Sequence, residues 1–124
     1  MIVGVGVDIC RVDRVEAMLN RRPGLIDKLF TAAETRTPEG TPRRVESLAA
    51  RFAAKEALAK ALGSPGGLSW LDAEVTTSTY GQPEFLVSGT VAARATALGV
   101  VSIRVSLSHD AGLATAFVVC EGES

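Results

Sequence analysis

The stretch from Arg43 to Leu62, stopped by Gly63, reads as the longest helix of the chain, and a carboxylate, Glu56, stands in the middle of its apolar stripe. Stepping about 100° per residue from Val45 brings Leu48, Ala49, Phe52 and Ala59 to one side, with Glu56 between them. A helix that turns such a face to a core must neutralise the charge. The sequence offers two ways: a cation from Lys55 or Lys60, of which Lys60 is a favourable i,i+4 partner, or a metal ion shared with a second acid. Asp8, at the end of a short apolar strand, is the candidate second acid. It also stands where it would cap a helix starting near Cys10.

Around this helix the pattern changes period. Ile2 to Val7 alternates, with Val3, Val5 and Val7 on one face of a strand and Gly4, Gly6 and Asp8 on the other. The glycine face leaves room for a group to come close to the backbone. A first helix is expected from Cys10 to Arg22, ended by Pro23-Gly24. Short helical pieces follow at Leu25 to Phe30 and Ala32 to Thr35, with Thr31 and Glu34 in capping-box spacing. Residues 36–42 are the most loop-like. Ser64-Pro65-Gly66-Gly67 is a turn-rich exit from the long helix, and Leu68 to Tyr80 carries the β-branched residues of a strand. Gly81-Gln82-Pro83 turns into a strand over Glu84 to Val87, and Ser88 or Thr90 is placed to cap a helix reaching Leu98. Val101, Ile103, Val105 and Leu107 alternate with Ser102, Arg104, Ser106 and Ser108, the mark of a half-buried strand. His109 to Gly112 turns it, and Leu113 to Cys120 returns as an apolar strand. The expected architecture is α+β: a small, mostly antiparallel sheet packed against the long helix, with residues 1–124 as a single domain. So small a sheet leaves faces and edges that an oligomer can cover.

Composition narrows the function. Hydrophobic residues make up 47% of the chain but aromatics only 5%, so little is available for stacking on bases. The 13 basic against 14 acidic residues, with a net charge of −1, argue against a generic nucleic-acid binder. Cys10 and Cys120 belong to no CxxC or Cys/His cluster, which argues against zinc and disulfides and for a reducing cytoplasm. The opening MIVGVGV run is stopped by Asp8, too short for a signal peptide, and nothing approaches the roughly 18 apolar residues of a membrane span. A cytoplasmic protein free of membrane is expected.

Three features carry chemistry. GVGVD lacks the third glycine of a dinucleotide fingerprint, and no phosphate-cradling lysine follows it. His109 is the only histidine; flanked by Ser108 and Asp110, it cannot form a Ser-His-Asp triad, because adjacent side chains point apart. It is either an ordinary surface residue or a contact to phosphate or a transferred proton. On the first helix, Arg11, Arg14, Met18, Arg21 and Arg22 fall within a sector of about 100°, beside the apolar Val12, Val15 and Leu19. That stripe is either a solvated basic face or a docking surface for an acidic helix.

Taken in order, GVGVDICRVDRV, FTAAE at Phe30 to Glu34, RFAAKEALAKALG, GQP at Gly81 to Pro83 and SLSHDAGLATAFVVCE span nearly the whole chain. Their order and spacing resemble the bacterial holo-acyl-carrier-protein synthases, small 4'-phosphopantetheinyl transferases. The resemblance implies a homotrimer with active sites between subunits, magnesium, coenzyme A as donor and the serine of an apo acyl carrier protein as acceptor. By position, Asp8 and Glu56 match the metal-binding acids, Lys60 the lysine near the phosphates, and His109 the histidine near coenzyme A. Arg51, Gly63 and Pro83 fall in the matching coenzyme A motifs, and Arg14, Met18, Arg21 and Arg22 match the carrier-docking face. The acceptor of the serine proton stays open among Glu56, a metal-bound water, His109 and Asp110. Two rivals from other classes are a metal-dependent phosphohydrolase and a non-catalytic carrier- or nucleotide-binding module. The residues do not distinguish fatty-acid from polyketide carriers.

Overall fold

Alternation dominates the two ends of the chain, and those ends pair. In the computed structural model, which describes residues 1–124, strand β1 (Ile2–Arg11) runs antiparallel to β5 (Leu113–Gly122). Strand β4 (Val100–Asp110) pairs with the other edge of β5, giving the order β1-β5-β4. The β4–β5 hairpin turns on Ala111 and Gly112, both at positive φ, 50° and 78°. Two such residues give a turn whose twist matches that of the strands.

Directly opposed residues share a face, so the register sorts the sheet into an inner and an outer side. Gly4, Gly6, Asp8 and Cys10 of β1 stand opposite Cys120, Val118, Ala116 and Ala114, and these stand opposite Ile103, Val105, Leu107 and His109. Helix α3 (Val45–Ala61) lies across this inner face. The space expected over the glycines is filled by the helix backbone itself: a Cβ on Gly4 would collide with the Ala61 carbonyl oxygen, and one on Gly6 with that of Ala57. The other side of α3 is covered by the hairpin of β2 (Ala73–Thr77) and β3 (Pro83–Val87) and by α4 (Gly89–Ala97). As a result α3 is buried on two sides, along Ala49, Ala53, Ala57 and along Ala50, Ala54, Leu58 and Ala61. The single stripe expected from Val45 is therefore replaced by two, and Glu56 stands with Phe52 and Ala59 on a half-buried strip.

Other expectations are corrected by long-range contacts. Strand β1 does not stop before Asp8 but continues to Arg11, because β5 supplies partners as far as Leu113. Asp8 is thus a mid-strand residue, and α1 (Val12–Arg21) starts without a side-chain cap. Only Ala73 to Thr77 of the expected strand over Leu68 to Tyr80 pairs as a strand. Trp70 to Asp72 forms a 3-10 turn that aims Asp72 at α4, where the Thr90 N–H and hydroxyl donate to its carboxylate at 2.8 and 2.7 Å. The α4 cap is therefore Asp72, not Ser88 or Thr90. Val101 faces solvent because the register shifts between Val100 and Ser102. Between α2 (Leu25–Leu29) and the 3-10 turn at Ala33–Thr35, the capping box forms as expected. The Thr31 N–H donates to Glu34 Oε1 at 3.0 Å and the Glu34 N–H to Thr31 Oγ1 at 3.3 Å.

Candidate active site

The close approach of β1 and α3 brings Asp8 beside the last turns of the helix. Lys60 Nζ donates to Asp8 Oδ1 at 3.1 Å and to the Val7 carbonyl at 3.0 Å. The strand is tied at this point by Thr115, whose hydroxyl donates to the Asp8 carbonyl at 2.8 Å. Glu56, one turn before Lys60, is half-buried, and its carboxyl is pushed above the ordinary range by burial and then by the Asp8 charge, with Lys60 opposing. Asp8 and Lys60 thus form an ion pair whose two charges both act on the Glu56 carboxyl. No third His, Cys, Asp or Glu joins the two acids to make a metal cluster. A pair of hard oxygen donors with the remaining positions open suits magnesium, which keeps several water or substrate oxygens, and does not suit a closed zinc site. Beside Glu56 opens a cavity of about 350 Å³, walled by Leu58 and Ala59 of α3, by the segment from Ser64 to Trp70 and by Val91. Gly63, at the end of α3, leads into that wall.

Arg51 is buried at 6% exposure without a carboxylate partner. It donates to Ser47 Oγ at 2.7 Å and to Thr77 Oγ1 at 3.5 Å, while its Nε–H has no acceptor. Burial and the nearby Arg43 pull the guanidinium down to about 10. Thr77 pairs with Pro83 across the β2–β3 hairpin, so the register brings Arg51 and Pro83 to one place. A buried guanidinium with no carboxylate partner leaves positive charge uncompensated at this place.

His109 and Asp110 lie elsewhere. They end β4 on opposite faces of the sheet, both exposed, and line a hollow with Arg44 and Glu46 at the start of α3. From Glu46 to Glu56 the helix rises about 15 Å. One chain therefore does not unite His109 and Asp110 with Asp8, Glu56 and Lys60. On α1, Arg14, Arg21 and Arg22 are exposed, as the wheel requires. Met18, expected at the surface among them, is half-buried and packs toward Val15, Leu29 and Phe30.

One element of the site was not found from the sequence. Lys55, read as a possible partner for Glu56, is directed away from it and is buried against Glu34, Nζ to Oε1 at 2.7 Å. The capping box at Thr31 and Glu34 was the available signal, but a capping glutamate is ordinarily at the surface.

Residues 4–118 match the 4'-phosphopantetheinyl transferase superfamily, so the chain belongs to that family. Within it, the chain falls among the holo-[acyl-carrier-protein] synthases. The protein of that name from Streptomyces avermitilis is 60% identical over 121 residues, 98% of each chain. That from Clavibacter michiganensis is 55% identical over 124 residues, 100% of this chain and 99% of the relative. Among solved structures, the holo-ACP-synthase of Plasmodium yoelii superposes with a TM-score of 0.87 at 29% identity, over 100% of this chain and 98% of that one. The Helicobacter pylori holo-[acyl-carrier-protein] synthase, solved in complex with coenzyme A, gives 0.81 at 30% identity, over 94% and 99%.

Proposed function

We propose that residues 1–124 act as one transferase domain that moves 4'-phosphopantetheine from coenzyme A to a serine of apo acyl carrier protein, releasing adenosine 3',5'-bisphosphate. The observation that carries this reading is the convergence of Asp8, Glu56 and Lys60 beside the cavity that Glu56 lines. Asp8 and Glu56 would hold magnesium, which when bound supplies positive charge to the pyrophosphate oxygens. Lys60 adds a cation on the same side of the helix, free by its half-exposed stem to follow those oxygens. Arg51, held at the β2–β3 hairpin with Pro83 beside it, would supply further positive charge toward a phosphate of the donor. Of the protein groups considered for the serine proton, Glu56 alone lines the cavity. In-line attack of the serine oxygen on the phosphorus bonded to pantetheine then breaks the pyrophosphate bridge, and the adenosine bisphosphate carries away the released charge.

The exposed stripe of Arg14, Arg21 and Arg22 supports an acidic helix of the carrier as docking partner. A homotrimer with shared sites fits two observations. Val5, Val7, Ile9 and Phe117 leave an apolar outer sheet face 48–64% exposed, and His109 stands apart from Glu56 within a chain. Both cysteines are free, in keeping with work in a reducing cytoplasm, and no helix is long and apolar enough to cross a membrane. Mass spectrometry of apo carrier protein incubated with coenzyme A and Mg²⁺ tests the reaction: the carrier gains roughly 340 Da, the mass of the transferred group. An unchanged carrier with hydrolysed coenzyme A would instead establish a phosphohydrolase.

A further inference from the structure

Lys55 is the most enclosed cation of the molecule, and all three of its protons are spent on backbone and carboxylate oxygens from different parts of the chain. Its Nζ donates to the Leu29 carbonyl at 2.6 Å, to Glu34 Oε1 at 2.7 Å and to the Trp70 carbonyl at 3.0 Å, over the ring of Phe30. Glu34 is equally saturated, accepting from Thr31 N–H on Oε1 and from Val75 N–H on Oε2 at 2.9 Å. The side chains of the pair are 1% and 0% exposed. Desolvation works against the ammonium, whose value is lowered by burial although Glu34 opposes the shift. A buried ion pair of this kind contributes little net stability, because the cost of removing both charges from water consumes the attraction between them.

Its location suggests another use. Lys55 precedes Glu56 in sequence and lines the same cavity. The opposite wall, Ser64 to Trp70, is built on turns, with Ser64, Gly66 and Gly67 all at positive φ. Such a segment has no helical or strand ladder of its own. It is fixed at its far end, where the Trp70 carbonyl meets Lys55, the Trp70 ring stacks on Phe52 at 5.4 Å, and the Ser69 N–H donates to Thr90. Through Glu34 the same ammonium also ties in β2, next to Arg51.

We propose that Lys55, neutralised by Glu34, is a positioning residue that sets the spacing between α3 and the Trp70 wall and so determines how tightly the donor is held. This rests on the reading of the cavity as the coenzyme A site. It touches no reacting atom. Its effect is therefore on donor binding, while carrier docking on α1 is left as it is.

The test uses two variants of the full chain. Lys55→Met keeps the stem and removes the ammonium; Lys55→Met combined with Glu34→Gln removes both charges together and spares Glu34 the cost of being buried unpaired. Coenzyme A affinity is measured by calorimetry, KM for each substrate by steady-state transfer, and the wall by the emission of Trp70, the only tryptophan. The expected result for Lys55→Met is a rise of about ten-fold or more in the Kd and KM for coenzyme A, with carrier KM within about two-fold and Trp70 emission shifted to the red. The double variant is expected to regain thermal stability yet keep the weak donor binding, which a purely structural role would not produce. Wild-type coenzyme A affinity in Lys55→Met overturns the proposal, and so does an equal rise in carrier KM. If Lys55→Met fails to fold, the double variant decides: donor affinity like that of wild type overturns, and a ten-fold loss supports. Wild type run in parallel keeps the two readings apart. Failure of wild type to bind coenzyme A removes the functional reading, whereas normal wild type with unaltered variants removes this inference alone.

Discussion

Glu56 shows how one side chain can be unfavourable for the fold and yet stand where the proposed site requires it. Its carboxyl is raised by burial and by Asp8, so the charged form is disfavoured in the folded chain relative to the unfolded one. The sign of the pH dependence follows. The penalty is fully present above the raised folded value, and it is relieved as pH falls through that value toward the ordinary 4.5. In chelator, Glu56→Gln is therefore expected to melt a few degrees above wild type at neutral pH, the difference shrinking toward acid. The same substitution is expected to lower transfer on the order of 100-fold or more, as is Asp8→Asn, because each would remove an oxygen ligand of the proposed magnesium. Thermal melts across pH check the first half and transfer at limiting Mg²⁺ the second. Activity within a few-fold of wild type in either variant would refute a shared role for the two acids.

At the scale of elements, what could be read from the sequence was what repeats with a short period. The alternation in β1 put Gly4, Gly6 and Asp8 on one face, and the helical spacing in α3 put Glu56 and Lys60 one turn apart, so the central constellation was legible before its parts were seen together. What was missed depends on contacts with no period. β1 runs past Asp8 because β5 offers partners, Asp72 leaves its strand to cap α4, and Lys55 turns to Glu34, 21 residues away. Helix α1 belongs to the legible part, since Val12 and Val15 are buried and Arg14 and Arg21 exposed as its wheel requires. Arg14→Glu with Arg21→Glu should therefore leave the core intact. Exposed charge pairs contribute about 1 kcal/mol or less each, but several converging on one acidic helix act together and speed encounter. The double reversal is expected to raise the carrier KM by about ten-fold or more with little change for coenzyme A. It should also remove most of the salt sensitivity of wild-type transfer. Steady-state kinetics at two ionic strengths reads both, and unchanged values would make the stripe a solvated face.

At the scale of the molecule, the proposed trimer has to explain two things that a lone chain leaves open. The first is the outer sheet face. Val7 and Phe117 are directly opposed on it, at 56% and 48% exposure, with Val5 and Ile9 alongside, a contiguous apolar surface of a kind soluble chains rarely leave uncovered. The second is the separation of His109 from Glu56, which a rotational assembly resolves if one chain's β4 end reaches the next chain's cavity, since ring contacts join unlike surfaces. The chain should therefore run near three times its 12.9 kDa mass by light scattering. Val7→Glu should yield monomers that do not transfer, although Asp8, Glu56 and Lys60 are intact. The sharper test mixes two inactive proteins. If a site takes Glu56 from one chain and His109 from its neighbour, then Glu56→Gln and His109→Ala, unfolded together in equal amounts and refolded, place both native residues at about one site in four by chance assortment around the ring. Recovery of roughly a quarter of wild-type transfer, from parents that are each inactive, is the expected result. Recovery of none, from mixed trimers verified by mass, would mean that each site is built within one chain and that His109 serves elsewhere.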